Sequence, residues 1–457
     1  MTIDEFISSS HILHRSFSER PSKIVAGDGI RLILKNGKTV IDASCGPSVS
    51  CLGHSQPEIF NAINAHLRND VAYAYSGSPY TNDATEQLAD MLLAHKPGGL
   101  SKAIFVNFAT PDAPHRAKTE LHGNTIGALC VFGHESRREF YHDFKSPNVS
   151  FVDPCYAYHM KDQDESDEAF VQRRSRQFED ETLRVGPDRV AGFIAETVSG
   201  ATLGCLPAVH GYFKAIREIC DRYDVLLILD EVSDFRGPIE RLYLAVDHLK
   251  CYQIICGMGK TGTMHAWEQE GIRSPDFQTI GKALRAGFVP LYGALLHEKI
   301  FQALSAASGG LAHGHTFQAH SLAYAAAIAA QKIIKRDNLI ERCAYIGQKL
   351  ETLLRKEIGP LPLVGDIRGR GLFWAVEFVL DKKAKTLFPG PVKFCSQVVK
   401  KSLDVGLNIL GNLGHTGKYQ VDHILVCPPY TVTGSELGDI ISPLKIAIIE
   451  TSRPFIT

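Results

Sequence analysis

Apolar positions along this chain change their period several times, and each change marks an element. Leu32-Ile33-Leu34 and Thr39-Val40-Ile41 flank Lys35-Asn36-Gly37-Lys38. Two short apolar runs around an Asn-Gly pair predict a hairpin. Residues 57–70 and 83–95 carry apolar residues at helical spacing, and Lys102–Val106 is a short apolar run that predicts a strand. From about residue 190 the rhythm is clearer. A strand is predicted over Val190–Ala195, then an amphipathic helix over Gly211–Tyr223 with Phe213, Ile216, Ile219 and Cys220 on one side. Next, Val225-Leu226-Leu227-Ile228-Leu229 runs without a polar break into Asp230-Glu231. Such a run suits a strand covered on both faces, as in a parallel sheet between helices. Strand–helix–strand alternation predicts an α/β fold. After about residue 318 the texture shifts. Ala319–Lys335 and Leu339–Lys356 predict long helices, while Gly371–Phe378 and His423–Cys427 predict strands.

At roughly 100–200 residues per domain, 457 residues imply two or three domains. The expected division is a large α/β domain over 60–318 with a mostly parallel central sheet. A smaller α+β domain takes 319–457, and the N-terminal segment 1–59 contributes to it. A formal net charge of −1 gives no electrostatic reason to expect nucleic acid or an anionic membrane as partner. The 11 cysteines show no C-x-x-C spacing, so neither a zinc ribbon nor a disulfide framework is predicted. Reduced thiols are expected. No apolar run is long enough to span a membrane, and Met1–Phe6 lacks the apolar core of a secretory signal. A cytoplasmic location is expected.

Two short stretches carry chemistry. Asp230-Glu231 ends a buried strand, and Thr279-Ile280-Gly281-Lys282 follows Pro275-Asp276-Phe277. Ligands of α/β sheets bind beyond the carboxyl ends of the strands. There a lysine can tether an aldehyde, and a carboxylate can keep a pyridine nitrogen protonated. Pyridoxal phosphate (PLP) needs that pair. Two rival motifs fail. Gly257-Met258-Gly259-Lys260-Thr261 ends like a phosphate-binding loop, but Ile254 stands where that loop needs its first glycine. His313, His315 and His320 are close in sequence, yet no carboxylate or cysteine joins them at zinc spacing, so no metal is expected.

Taken in order, further motifs carry a resemblance. They are Gly27-Asp28-Gly29, Leu52-Gly53-His54, His122-Gly123-Asn124-Thr125, Ala195-Glu196, Asp230-Glu231 and Gly257-Met258-Gly259. Gly281-Lys282, Gly314-His315-Thr316-Phe317, Arg368-Gly369-Arg370-Gly371-Leu372 and Pro428-Pro429-Tyr430 continue the series. Over nearly its whole length the chain resembles class III PLP-dependent aminotransferases of fold type I. The resemblance implies transfer of an amino group from an amine or amino acid to a 2-oxo acid. It implies that Lys282 is the Schiff-base lysine and proton shuttle, that Asp230 partners the ring nitrogen, and that Glu196 lies near substrate and ring. His122 and Gly123 fall in the cofactor-binding region. Thr316 would reach the cofactor phosphate of a neighbouring subunit, which implies a homodimer with shared active sites. Arg368 or Arg370 could receive a substrate carboxylate, since a guanidinium suits bidentate binding. A solvated turn is the plainer reading of these arginines. PLP-dependent decarboxylases and aminomutases share the architecture, and an impaired pseudoenzyme is a further alternative.

Two departures from the family pattern stand out. Where the family has a glycine- and serine-containing turn that cups the cofactor phosphate, this chain reads Asn107-Phe108-Ala109-Thr110-Pro111-Asp112-Ala113-Pro114-His115. Leu121 replaces the aromatic residue that stacks on the ring. Weak PLP binding is the expectation that follows. The second departure is Val232–Gln253, which separates Asp230-Glu231 from Ile254-Ile255-Cys256-Gly257. Removing it restores the family pattern. Its length and a possible GTGAGT coding sequence for Val232-Ser233 suit an unspliced intron in an imperfect gene model.

Overall fold

The computed structural model describes residues 10–12, 14, 20–68, 73, 79–106, 115–117, 130–131, 141, 143, 146–231, 256–311, 314, 316–318, 320–416 and 419–456. The strands are β1 (Ile24–Asp28), β2 (Arg31–Leu34), β3 (Thr39–Asp42), β4 (Leu100–Val106), β5 (His115–Ala117) and β6 (Ser150–Val152). They continue with β7 (Gly192–Glu196), β8 (Val198–Ser199), β9 (Leu206–Pro207), β10 (Leu226–Asp230), β11 (Phe277–Ile280) and β12 (Tyr292–His297). The last are β13 (Val364–Arg370), β14 (Phe373–Phe378), β15 (Leu407–Asn408), β16 (Leu410–Thr416) and β17 (Tyr419–Val426).

The predicted N-terminal hairpin is β2–β3, with Leu32 opposite Val40. Gly37 sits at φ 83° in its turn, a conformation that costs glycine no Cβ clash. β3 also pairs in parallel with β15, Ile41 opposite Leu407 and Asp42 opposite Asn408. The two ends of the chain therefore share a sheet.

A seven-stranded sheet in the order β4-β12-β11-β10-β7-β5-β6 forms the centre. β10 runs parallel to both β7 and β11, and β5 runs parallel to both β6 and β7. β12 is antiparallel to β11 and to β4, so it alone opposes the others. The apolar run before Asp230 is buried as predicted, with Leu227 and Leu229 fully inaccessible. The helix before it spans Tyr212–Tyr223 and buries Phe213, Ile216, Ile219 and Cys220. Asp224, at φ 54°, ends that helix in the left-handed region, and the next N–H, from Val225, donates to Cys220 O at 2.9 Å. The helix Asp167–Val185, capped by the Ser166 hydroxyl, packs beside it. Ser321–Arg336 packs against the helices Pro57–Leu67 and Asp83–Leu93. Its Tyr324 meets Phe105 of β4 edge-on at 5.3 Å between centroids.

The C-terminal part is built on the antiparallel sheet β13-β14-β17-β16. The helices Phe394–Asp404 and Gly434–Ser452 pack on one another beside it. The helix predicted over Leu339–Lys356 is regular to Leu353 and then widens through Leu354–Ile358. Among the described residues no helix is long and apolar enough to cross a membrane.

Candidate active site

The register of the central sheet brings three polar side chains together. On β10, Asp230 lies opposite Glu196 at the end of β7 and opposite Thr279 on β11. In-register neighbours on adjacent parallel strands project to the same face. Glu196, Asp230 and Thr279 therefore stand side by side at the carboxyl ends of three parallel strands, where α/β sheets bind ligands. All three are buried. The Thr279 hydroxyl donates to Asp230 Oδ1, and Glu196 Oε2 accepts from the Gly200 N–H at 2.9 Å.

Lys282 follows three residues after Thr279. It is 2% exposed and sits at φ 44°, a strained backbone for a residue with a Cβ. Its Nζ donates to the Pro47 carbonyl at 2.6 Å. Pro47 belongs to a tight turn in which Cys45, Gly46 and Ser48 all have positive φ. The N-terminal segment thus covers the lysine, a contact that nothing in the local sequence announced. Thr279 as the support of Asp230 was also missed, although it lies within the motif that led to Lys282.

Glu231, one residue after Asp230, faces the other way and organises the ground beneath. Its Oε1 accepts from the Thr197 hydroxyl at 3.1 Å and the Trp267 N–H at 2.9 Å. Its Oε2 accepts from the Ala266 N–H at 3.0 Å and Gln278 Nε2 at 2.7 Å. Burial pushes its carboxyl up to about 7 even so, because four donors do not fully replace water. Burial also pushes His265 down to about 4, and its ring stacks on Trp267 at 5.3 Å.

The two arginines part company. Arg368 is 6% exposed and its donors are committed. Its Nε donates to Leu203 O and Gly204 O, its Nη2 to Leu203 O, and its Nη1 to Asp366 and Glu377. Those bonds tie β13 to the β8–β9 turn. Arg370 is more exposed, at 21% of its side chain, and donates to the buried Glu270. Thr316 is exposed, and its carbonyl accepts from the Tyr73 hydroxyl. His122, Gly123, Leu121, Asn107–Pro114 and Val232–Gln253 lie outside the described residues. His115–Ala117 forms β5, between β6 and β7. Among the described residues no group of histidines, cysteines and carboxylates is arranged to hold a metal.

A buried primary amine just beyond the end of β11 and a buried carboxylate at the end of the adjacent β10 suit the aldehyde and the ring nitrogen of PLP. The sequence matches the model of the class III aminotransferases over residues 116–234 and 252–448. The chain belongs to that family. The break at 235–251 falls inside the segment Val232–Gln253. An uncharacterised aminotransferase of Schizosaccharomyces pombe is 35% identical, covering 98% of this chain and 97% of its own length. The taurine–pyruvate aminotransferase of Bilophila wadsworthia is 26% identical, covering 97% of this chain and 95% of its own. The ω-transaminase of Pseudomonas jessenii, solved in complex with PMP, is 27% identical with a TM-score of 0.83, over 95% of this chain and 94% of its own. This class III aminotransferase is therefore a PLP-dependent enzyme of fold type I. It moves an amino group from an amine or amino acid to a 2-oxo acid.

Proposed function

We propose that Lys282 is the amine that holds PLP and that its Nζ removes and returns the proton at the substrate's α-carbon. Asp230, backed by the Thr279 hydroxyl, would keep a proton on the ring nitrogen. When bound, the cofactor supplies an electron-withdrawing ring that stabilises negative charge on that carbon. Glu196, held by the Gly200 N–H, would line the substrate side. Burial of all three groups keeps water from competing for the proton and strengthens each charge interaction. The register of Glu196, Asp230 and Thr279, with Lys282 following on the same connection, is the observation that carries this reading.

His122 and Gly123 complete the proposed cofactor contacts, on the family pattern alone. Of Arg368 and Arg370, the two candidates for a substrate carboxylate, the more exposed Arg370 suits the role better. Thr316 suits service to a second copy's cofactor phosphate, because it is exposed on the single chain. A homodimer with shared sites follows. The division into 60–318 and 319–457, with 1–59 joining the smaller part, is supported by the pairing of β3 with β15. A cytoplasmic setting is supported by free thiols at the ten described cysteines. Relatives named for taurine with pyruvate and for diaminobutyrate with 2-oxoglutarate point to a primary-amine donor and a small 2-oxo acid acceptor.

The test is chemical labelling. Purified protein loaded with PLP is reduced with borohydride, digested and mapped. The pyridoxyl group should be on Lys282, and Lys282→Ala should abolish both label and transamination. A label on Lys260 would overturn the assignment.

A further inference from the structure

Three arginines are buried among the described residues: Arg174, Arg285 and Arg368. Two of them face carboxylates. Arg174 meets Asp153 at 3.2 Å, and Arg368 meets Asp366 and Glu377. Arg285 differs. It is 4% exposed, and among the described residues its donors reach neutral groups alone. Nη1 donates to the Leu291 carbonyl at 2.7 Å, Nη2 donates to the Tyr292 hydroxyl, and Nε has no acceptor. The guanidinium lies over the Tyr292 ring, 4.1 Å from its centroid. A buried cation without a counter-charge is costly, because burial removes water and nothing charged replaces it. Burial accordingly pulls its pKa below the ordinary value.

The place of Arg285 in the fold indicates what would supply the counter-charge. It follows Lys282 by three residues, just past the tight turn Lys282–Leu284. Its partner Tyr292 opens β12 and lies opposite Val106, the last residue of β4. The next residue, Gly293, lies opposite Ile280 at the end of β11. Because β12 opposes both neighbours, β4 and β11 run in the same direction. Their carboxyl ends share the rim that carries Asp230 and Glu196. Tyr292 also shares an apolar cluster with Val198, two residues beyond Glu196. Neighbouring strands stand about 4.8 Å apart, so β12 and β10 are about 10 Å apart across β11. That distance suits a pyridine ring that bears a phosphate on its side chain and makes a hydrogen bond at either end.

We propose that Arg285 binds the cofactor phosphate, and that it supplies charge where Asn107–Pro114 lacks the glycine and serine of a phosphate-binding turn. The proposal rests on the reading that Lys282 and Asp230 hold PLP. The Nε–H and the neighbouring Nη edge can make the two parallel bonds that a phosphate accepts. A substrate carboxylate has the same oxyanion chemistry, and the experiment separates the two.

The full-length chain is stripped of cofactor with hydroxylamine. PLP and pyridoxal, which lacks the phosphate, are titrated into wild type, Arg285→Gln and Arg285→Lys, with binding read from the absorbance of the bound aldehyde. Arg285→Gln should raise Kd for PLP by about 10–100-fold, the range of a charge-assisted hydrogen bond, and leave Kd for pyridoxal unchanged. Arg285→Lys should fall between wild type and Arg285→Gln, because a point charge remains but the planar fork does not. Where a variant does not fold, a crystal structure of the PLP-bound unmodified protein decides the matter, since Arg285 must then hydrogen-bond a phosphate oxygen. The proposal is overturned if Arg285→Gln leaves PLP affinity intact, or if PLP and pyridoxal weaken equally, which marks a structural arginine. A raised KM for the 2-oxo acid at unchanged PLP affinity also overturns it and assigns the site to a substrate carboxylate. Borohydride labelling at saturating PLP keeps the two readings apart. A label on Lys282 with unaltered affinity counts against Arg285 alone, and a label on another lysine counts against the active-site reading.

Discussion

Glu377→Gln tests whether Arg368 is a structural arginine or a substrate-binding one. Glu377 is fully buried. Its Oε1 pairs with His159 Nε2 at 2.6 Å, and its Oε2 accepts from Arg368 Nη1 and the Tyr156 hydroxyl. The amide keeps the shape but removes the charge, and it turns one acceptor into a donor facing donors. Breaking a buried ion pair from one side costs roughly 3–5 kcal/mol. Asp366, 2.8 Å from the same Arg368 nitrogen and partly exposed, still offsets some of the positive charge. The expected loss is therefore at the lower end, about 3 kcal/mol. Urea unfolding of the holoenzyme at neutral pH measures it. The pH dependence has a defined sign. Burial raises the Glu377 carboxyl, but Arg368, His159 and Tyr156 pull it down to about 2, below the ordinary 4.5. A depressed carboxyl stabilises the fold above its ordinary value, and that stabilisation is lost as pH falls towards the folded value. The penalty of the variant should be constant over about pH 5–8 and shrink below about pH 4. The double variant Arg368→Met/Glu377→Leu should recover most of the loss, because it leaves no lone charge. The reasoning is refuted if Glu377→Gln is silent. It is also refuted if Arg368→Met leaves stability intact while raising KM for the 2-oxo acid.

Three other outcomes follow from the same contacts. Asp230→Asn should lower kcat by roughly 10–100-fold, from the loss of about 1.5–3 kcal/mol of charged hydrogen bonding, with Thr279→Val milder; a full-rate Asp230→Asn enzyme would remove Asp230 from the proposed machinery. Deleting Val232–Gln253 should raise soluble yield and bound PLP in parallel, measured by absorbance per chain, and a fall in both would show that the segment belongs to the fold. Gly371 sits at φ 55°, and a Cβ there would lie 2.5 Å from the Lys260 carbonyl, so Gly371→Ala should cost more than the roughly 1–2 kcal/mol of the backbone strain alone; an unchanged urea midpoint would contradict this.

Much of the architecture could be read from the chain because its causes are local. The apolar run ending at Asp230 declares a strand buried on both faces, since no polar residue interrupts it. Asn36-Gly37 declares a hairpin because glycine meets the turn's backbone requirement at no steric cost. The ordered motifs around Glu196, Asp230 and Lys282 were enough to point to the family. Other features had no local cause. β12 opposes its neighbours, yet its residues read like those of any buried strand. Arg368 and Arg370 share one short motif, but partners from Leu203, Gly204 and Glu377 consume the first and leave the second partly exposed. Pro47 reaches Lys282 across 235 positions of sequence. Periodicity records which side of an element faces the core. Which distant groups meet there depends on register and on the sum of many non-local contacts, and no single stretch of sequence contains that sum.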